Sequence, residues 1–161
     1  MSTTKTICTV ETRLHTLGFV LPAPPQAHGN YRPWIVENGI LYTAGQLSRD
    51  GHQTIVGKAS ESDTLKDARA AAQLSILRCL SIFKEAAGNL ENISQVLTLR
   101  GYVCASPNFT KHSHVLDAAS NILVDIFGDR GRHVRSAIGV CSLPSGGLVE
   151  IEATARLSDL P

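Results

Sequence analysis

The chain has 161 residues, which predicts a single domain whose core can hold without a metal or a disulfide. Fifteen basic and 14 acidic residues give a formal charge of +1, so the chain lacks the positive field that holds a nucleic acid or an anionic membrane. Charged residues make up 18% of the chain, against about 25% on average, and this deficit indicates a surface partly covered by another subunit.

Nothing at the start of the chain predicts export or membrane insertion. The first residues, from Met1 to Lys5, are polar and lack the long apolar stretch of a secretory signal. No run of 18 apolar residues occurs, so no membrane span is expected. The four cysteines are widely spaced without a zinc-site pattern. The sequence therefore predicts a cytoplasmic protein and leaves an organellar address open.

A short helix and a stiff connector are predicted at the N-terminus. Val10, Leu14 and Leu17 recur at helical spacing, whereas the prolines of residues 21–25 lack the N–H groups that a helix needs. We therefore expect an N-terminal helix and proline-rich connector in residues 1–28, followed by an α+β domain in residues 29–161.

The domain is expected to begin with a hairpin. Asn38-Gly39 stands between two runs of β-formers and supplies the two positive-φ positions of a tight turn. Residues 46–63 are rich in Ser, Asp, Gly and His, and are predicted to form a long loop. The later elements are expected, in order, as a helix over 64–87 with a capping-box start at Thr64, a strand over 93–104, a helix between Pro107 and Gly128, and strands over 136–142 and 148–157.

The order ββαβαββ predicts an α+β fold with one mixed sheet and two helices on one of its faces. In the last strand, Val149, Ile151, Ala153 and Ala155 share the side expected to meet the helices. Glu150, Glu152, Thr154 and Arg156 share the other side, which needs water or a partner.

The most suggestive chemistry lies in the last two strands. Arg135 stands at the mouth of one strand and Glu150 begins the other, which is expected to be its antiparallel partner. A guanidinium can bind a substrate carboxylate bidentately, and a nearby carboxylate can orient water. The competing interpretation is an ordinary cross-strand Arg–Glu pair. His112, His114 and His133 are expected to be exposed polar residues.

Several segments, taken together, resemble the Rid (reactive intermediate deaminase) family, also called the YjgF family and formerly the endoribonuclease L-PSP family. The resemblance covers roughly residues 29–156 and looks like a longer-chain branch of the family. It is carried by Gly29-Asn30-Tyr31, Thr43-Ala44-Gly45-Gln46, Glu85-Ala86-Ala87-Gly88, Arg135-Ser136, Leu143-Pro144 and Val149-Glu150-Ile151-Glu152-Ala153.

The resemblance implies a chorismate-mutase-like α+β fold, a homotrimeric barrel and a ligand cleft at each subunit interface. It implies hydrolysis of enamine/imine intermediates such as 2-aminoacrylate to 2-keto acids and ammonia, without a cofactor or a metal. The carboxylate-binding arginine falls on Arg135, the acid that positions water on Glu150, and the pocket tyrosine on Tyr31. The backbone of Ala44 and Gly45 is expected to form part of the pocket wall.

This chain departs from the family pattern at three pocket positions. Ala137 stands where a cysteine is frequent, and Ala44 where a serine precedes the pocket glycine. The pocket asparagine has no clear match: helix phase points to Leu116 and chemical similarity to Asp117, so its role is assigned to neither.

Two other functions remain open at this point. The first is a trimeric protein that binds a carboxylate or 2-keto acid with little turnover. The second is an endoribonuclease, as in the former family name; the near-zero net charge argues against it because the electrostatic footprint of an RNA-binding surface is missing.

Overall fold

The computed structural model of the protein describes residues 9–51, 53–60 and 65–158. Three α-helices and eight strands lie in these ranges. The helices are α1 (Val10–Thr16), α2 (Leu65–Ala87) and α3 (His112–Phe127). The strands are β1 (Trp34–Glu37), β2 (Ile40–Thr43), β3 (Gln46–Leu47), β4 (Arg49–Asp50), β5 (Gln53–Thr54), β6 (Ile93–Cys104), β7 (Val134–Val140) and β8 (Val149–Leu157).

The predicted hairpin is confirmed. Asn38 and Gly39 have φ values of 51° and 74°, the positive angles that a two-residue turn between twisted strands requires. The predicted loop over 46–63 is wrong in part, because β3, β4 and β5 lie within it. Each of these strands has two residues, too few to produce a periodic pattern in the sequence.

One mixed sheet carries the fold, in the order β1-β2-β8-β6-β7, with β3 also pairing with β8. The expectation that β7 and β8 are antiparallel partners is wrong: β6 lies between them, parallel to β7 and antiparallel to β8. The connection from β6 to β7 runs through α3, and such a crossover lets two consecutive strands lie parallel and adjacent.

The helix-facing side of β8 is as predicted. Val149, Ile151, Ala153 and Ala155 are all buried in the core, together with the apolar stripes of α2 and α3 and with Val10 of α1. Thr64, the predicted cap of α2, lies outside the described residues. Among the helices of the described ranges, none is long and apolar enough to cross a membrane.

The opposite face of the sheet is open and partly apolar. Ile35 on β1, Tyr42 on β2, and Val134 and Ile138 on β7 expose between 41% and 70% of their surface there. The strand registers place all four on the side of Thr154 and Glu150, away from the helices. A single protomer thus leaves apolar surface uncovered on this face, the setting in which subunit contacts form.

Candidate functional site

A cleft of about 220 Å³ lies at the start of β8. Glu150, Gly45 and Tyr31 all line it, so three of the predicted site residues come together in one protomer. The cleft is smaller than the roughly 300–1,000 Å³ of sites for drug-sized ligands, which favours a small metabolite. Ala44 instead lines a neighbouring depression beside Tyr42.

Gly45 makes room for the carboxyl group of Glu150. A Cβ atom at position 45 would lie 2.3 Å from Oε1 of Glu150 and 2.9 Å from its Cδ. The segment is held in place by its neighbours: the Ala44 N–H donates to the carbonyl of Pro33 (2.8 Å), and Nε2 of Gln46 donates to the carbonyl of Ala44 (3.1 Å). A methyl group at position 45 would displace the flexible carboxyl end of Glu150, so the glycine leaves room for the present orientation of that group.

The acid in this cleft is tuned toward its protonated form. Burial raises the pKa of Glu150, and the negative charge of Glu152, two residues along the same strand, raises it further. A carboxyl group with a raised pKa can both accept and return a proton near neutral pH. Glu152 itself is paired with Arg100 at 3.0 Å.

Arg135, the second charged residue of the predicted site, lies outside this cleft on the edge strand β7. Its Nη1 donates to Oδ1 of Asp117 at 2.9 Å and to Oγ of Ser120 at 3.0 Å, both on α3. Among the described residues, its Nε and Nη2 donate no hydrogen bond. These two groups form one edge of the guanidinium, so a bidentate fork remains for a ligand carboxylate.

His133 extends this network. Its Nδ1 is 2.6 Å from the carbonyl of Gly131, which can only accept, and its Nε2 is 3.0 Å from Oγ of Ser120. Burial lowers the pKa of His133, and the nearby charge of Arg135 contributes in the same direction. Nε2 of the neutral ring thus accepts a hydrogen bond from the Ser120 hydroxyl, which leaves a lone pair of the serine oxygen to accept the hydrogen bond from Arg135.

The expectation that the three histidines are exposed polar residues holds for His114 alone. His133 is half-buried in the Arg135 network, and His112 packs edge-on against Phe109 with ring centroids 5.0 Å apart. His114 is exposed, 3.8 Å from Asp117. The tertiary contact between α3 and β7 supplies the partners that a local pattern cannot show.

Arg135 and Glu150 lie on opposite faces of the sheet. Arg135 is in register with Leu99, which is buried under the helices, whereas Glu150 is in register with Tyr102, three residues further along β6. Side chains an odd number of positions apart on a strand point to opposite faces. The alternative of an ordinary Arg135–Glu150 pair is therefore wrong, since the ion pair of Arg135 is with Asp117.

Asp117 and Ser120 are contacts of Arg135 that the sequence did not assign. They are three residues apart on α3 and so share one side of it, off the apolar stripe. The structure also separates the two candidates for the missing asparagine: Leu116 is fully buried against Gly101, whereas Asp117 reaches Arg135. The three-residue spacing of Asp117 and Ser120 indicated that they share a side of the helix. Nothing in the local sequence indicated that this side contacts β7.

Substituting Gly45 with alanine tests the close approach to Glu150. Gly45→Ala should destabilise the protein by about 1 kcal/mol, the low end of the cost of overpacking, because only the flexible end of Glu150 has to move; urea unfolding measures this. In a Glu150→Ala background the same change should cost close to nothing, because the colliding carboxyl group is gone. An equal cost in both backgrounds would show that something other than Glu150 sets the requirement.

Comparison with known proteins gives consistent matches over nearly the whole chain. Residues 11–157 match the family model "YjgF/chorismate mutase-like, putative endoribonuclease". The chain is 34% identical over 152 residues to Protein TCP17 of Trypanosoma cruzi, covering 93% of this chain and 95% of that one. It is 34% identical to Atu1372 of Agrobacterium tumefaciens, a protein of unknown function, over 93% and 94% of the two chains with a TM-score of 0.85. Escherichia coli TdcF with bound serine is 20% identical over 87% and 97%, with a TM-score of 0.61, and shares the fold.

Proposed function

Because the chain belongs to the YjgF/chorismate mutase-like family, we propose that it is a homotrimeric, cofactor-independent hydrolase of enamine/imine intermediates. Its substrates carry a carboxylate, as 2-aminoacrylate does, and its products are a 2-keto acid and ammonia. The observation that carries the proposal is Glu150, a carboxyl group of raised pKa seated against Gly45 in a small cleft beside Tyr31.

The placement of the two charged residues supports a site shared between protomers, as in the proposed trimer. Since Arg135 and Glu150 point to opposite faces of one sheet, a site that uses both needs Arg135 from one protomer and Glu150 from the next. The exposed apolar residues of the open face, Ile35, Tyr42, Val134 and Ile138, support packing of the sheets against one another in a closed ring.

Arg135 binds and orients the substrate. The Nε and Nη2 edge of its guanidinium takes the carboxylate, while Asp117 and Ser120 hold Nη1 and so fix the plane of the group. This fixes the C=N carbon relative to the cleft of the neighbouring protomer. Serine bound to TdcF is a carboxylate-bearing molecule of similar size, which supports a ligand of this class.

Glu150 acts as the general base toward water and as the general acid toward the nitrogen. Its carboxylate accepts a proton from water as the oxygen bonds to the imine carbon, and the same carboxyl group returns that proton to the nitrogen. The product of this step is a carbinolamine. Its hydroxyl proton then passes through the same carboxylate to the amino nitrogen, and the C–N bond breaks as C=O forms, so that the net reaction adds one water and releases one ammonia. The raised pKa of Glu150, caused by burial and by the charge of Glu152, favours the return of the proton to nitrogen.

The proposal is tested by the loss of an imine made in the cuvette. 2-Aminoacrylate is generated from an amino acid by a separate lyase, and its decay is followed with wild type, Arg135→Ala and Arg132→Ala. We expect the wild-type protein to accelerate the decay of the imine. Arg135→Ala should lower kcat/KM by about 10²-fold, because the charge-assisted hydrogen bonds to the substrate carboxylate are lost. Arg132→Ala is the control: Arg132 is largely exposed and paired with Asp129. Its substitution removes the same charge three residues away and should leave the rate unchanged.

Two results would contradict the proposal. If wild type fails to accelerate the loss of several imines while a 2-keto acid still binds through Arg135, the protein is a carboxylate-binding module. If a bound keto acid places its carboxylate away from Arg135, the assignment of the site is wrong.

A further inference from the structure

The Glu150 cleft also contains two arginines that the proposed reaction does not use. Arg49, on β4, and Arg78, on α2, both line it. They come from separate parts of the chain and are joined by a hydrogen bond of 3.1 Å from Nη1 of Arg78 to the carbonyl of Arg49.

These two guanidinium groups are held without a carboxylate partner. Within the described part of the chain, neither lies within 4.0 Å of an acidic group. Arg49 donates to neutral hydroxyls instead, from Nε to Oγ1 of Thr54 (3.1 Å) and from Nη2 to Oγ of Ser145 (2.9 Å). Both positive charges therefore stay available to a ligand.

The local environment opposes two cations at this place. Burial lowers the pKa of Arg78, the charge of Arg49 lowers it further, and Asp50 opposes this more weakly. The Nε of Arg78 is buried and has no hydrogen-bond partner among the described residues. A desolvated cation beside a second like charge is costly, and an anion bound in the cleft beside the two arginines would offset their repulsion.

The loop that Arg49 contacts has an unusual backbone conformation. Ser145 has φ 55° and ψ 20°, a left-handed conformation that non-glycine residues rarely adopt. Its side chain is held by Arg49, and it lines the same cleft as Glu150. Backbone strain of this kind concentrates where a ligand site imposes it.

We propose that Arg49 and Arg78 form a subsite for a second anionic group of the substrate, a carboxylate or a phosphoryl group. The inference rests on the proposed function for the reacting end of the molecule, where Arg135 of a neighbouring protomer takes the first carboxylate. The preferred substrates are then short imines with a charge at each end, and their products are dianionic 2-keto acids.

The subsite is tested by calorimetric binding of three product analogues to the purified full-length protein. 2-Oxobutyrate carries one carboxylate, 2-oxoglutarate a second carboxylate and 3-phosphohydroxypyruvate a phosphoryl group. The ligand whose second anionic group fits the subsite is expected to bind at least about tenfold more tightly than 2-oxobutyrate, as charge-assisted contacts allow. Which of the two gains affinity identifies the anionic group.

Substitutions assign the gain to the two arginines. Arg78→Gln and Arg49→Gln should each remove most of the advantage of the dianion and leave 2-oxobutyrate within about twofold of wild type, since additivity holds for separate contacts. Arg78→Lys keeps the charge and should retain part of the advantage, which separates binding from a folding defect. Lys66→Gln removes one exposed charge from the same helix and should change neither affinity.

Equal affinity of all three ligands for wild type would overturn the subsite, as would an advantage that survives Arg78→Gln and Arg49→Gln together. Binding of 2-oxobutyrate through Arg135 without a dianion preference removes the subsite and leaves the proposed function standing. A dianion preference that depends on Arg78, in a protein that hydrolyses no imine, keeps the subsite and removes the enzymatic function.

Discussion

Replacing Glu150 with glutamine is expected to lower kcat for imine hydrolysis by about 10²–10⁴-fold, the range for a lost general acid–base group. The amide keeps the size of the carboxyl group against Gly45 but cannot accept a proton from water. KM should change little, because in the proposed trimer the substrate carboxylate is bound by Arg135 of a different protomer. Steady-state kinetics of imine loss measure both constants.

Glu152→Gln is the matched control, since it removes the same charge from the same face of β8 two residues away. Its kcat should stay within a few-fold of wild type. A fall of similar size in both variants would mean that the negative charge of this strand, rather than the chemistry of Glu150, supports the rate.

The pH dependence of kcat/KM should also report the ionisation of Glu150. Glu150 must be ionised to accept a proton, so kcat/KM should rise with pH through a pKa above the ordinary glutamate value of 4.5. Glu152→Gln removes one of the two causes of the raised pKa and should move this rise to lower pH. Glu150→Gln should abolish it.

Mixing two inactive variants is expected to restore activity. In a trimer whose sites each take Arg135 from one protomer and Glu150 from the next, Arg135→Gln and Glu150→Gln subunits complement each other. Every trimer that contains both variants has one intact site of three, so doubly tagged, tandem-purified mixtures should show about one third of wild-type activity. Each variant alone should show almost none.

The control is a mixture of Arg135→Gln with the Arg135→Gln/Glu150→Gln double variant, which contains no intact arginine and should recover nothing. Mixed assemblies that form but remain as inactive as their parents would contradict a shared site. A monomeric mass of the wild-type protein by light scattering would also contradict a shared site.

Local features of the sequence predicted local features of the fold. The Asn38-Gly39 turn, the span of β6 and the core side of β8 are all confirmed, because turn angles and side-chain alternation depend on a few consecutive residues. The motif around Glu150 identified the acid of the cleft, and Gly45 and Tyr31 line that cleft with it.

Contacts between distant segments could not be predicted in this way. The pairing of β7 with β6 rather than β8, the ion pair of Arg135 with Asp117 and the meeting of Arg49 with Arg78 each join elements separated by many residues. No periodicity within one element specifies its neighbour. The two-residue strands β3, β4 and β5 were missed because they are too short to carry a pattern.

The low charged fraction of 18% indicated that part of the surface is covered by another subunit, but it could not indicate which part. By itself the sequence predicted the fold class and the family, which are confirmed, because local motifs and the order of elements indicate them. Its resemblance to the family also proposed Arg135 and Glu150 as the arginine and the acid of the candidate site. Only the tertiary structure decided that Arg135 and Glu150 face opposite sides of one sheet, with exposed apolar residues on the side of Glu150. Strand order sets those faces, and strand order is a long-range property of the folded chain.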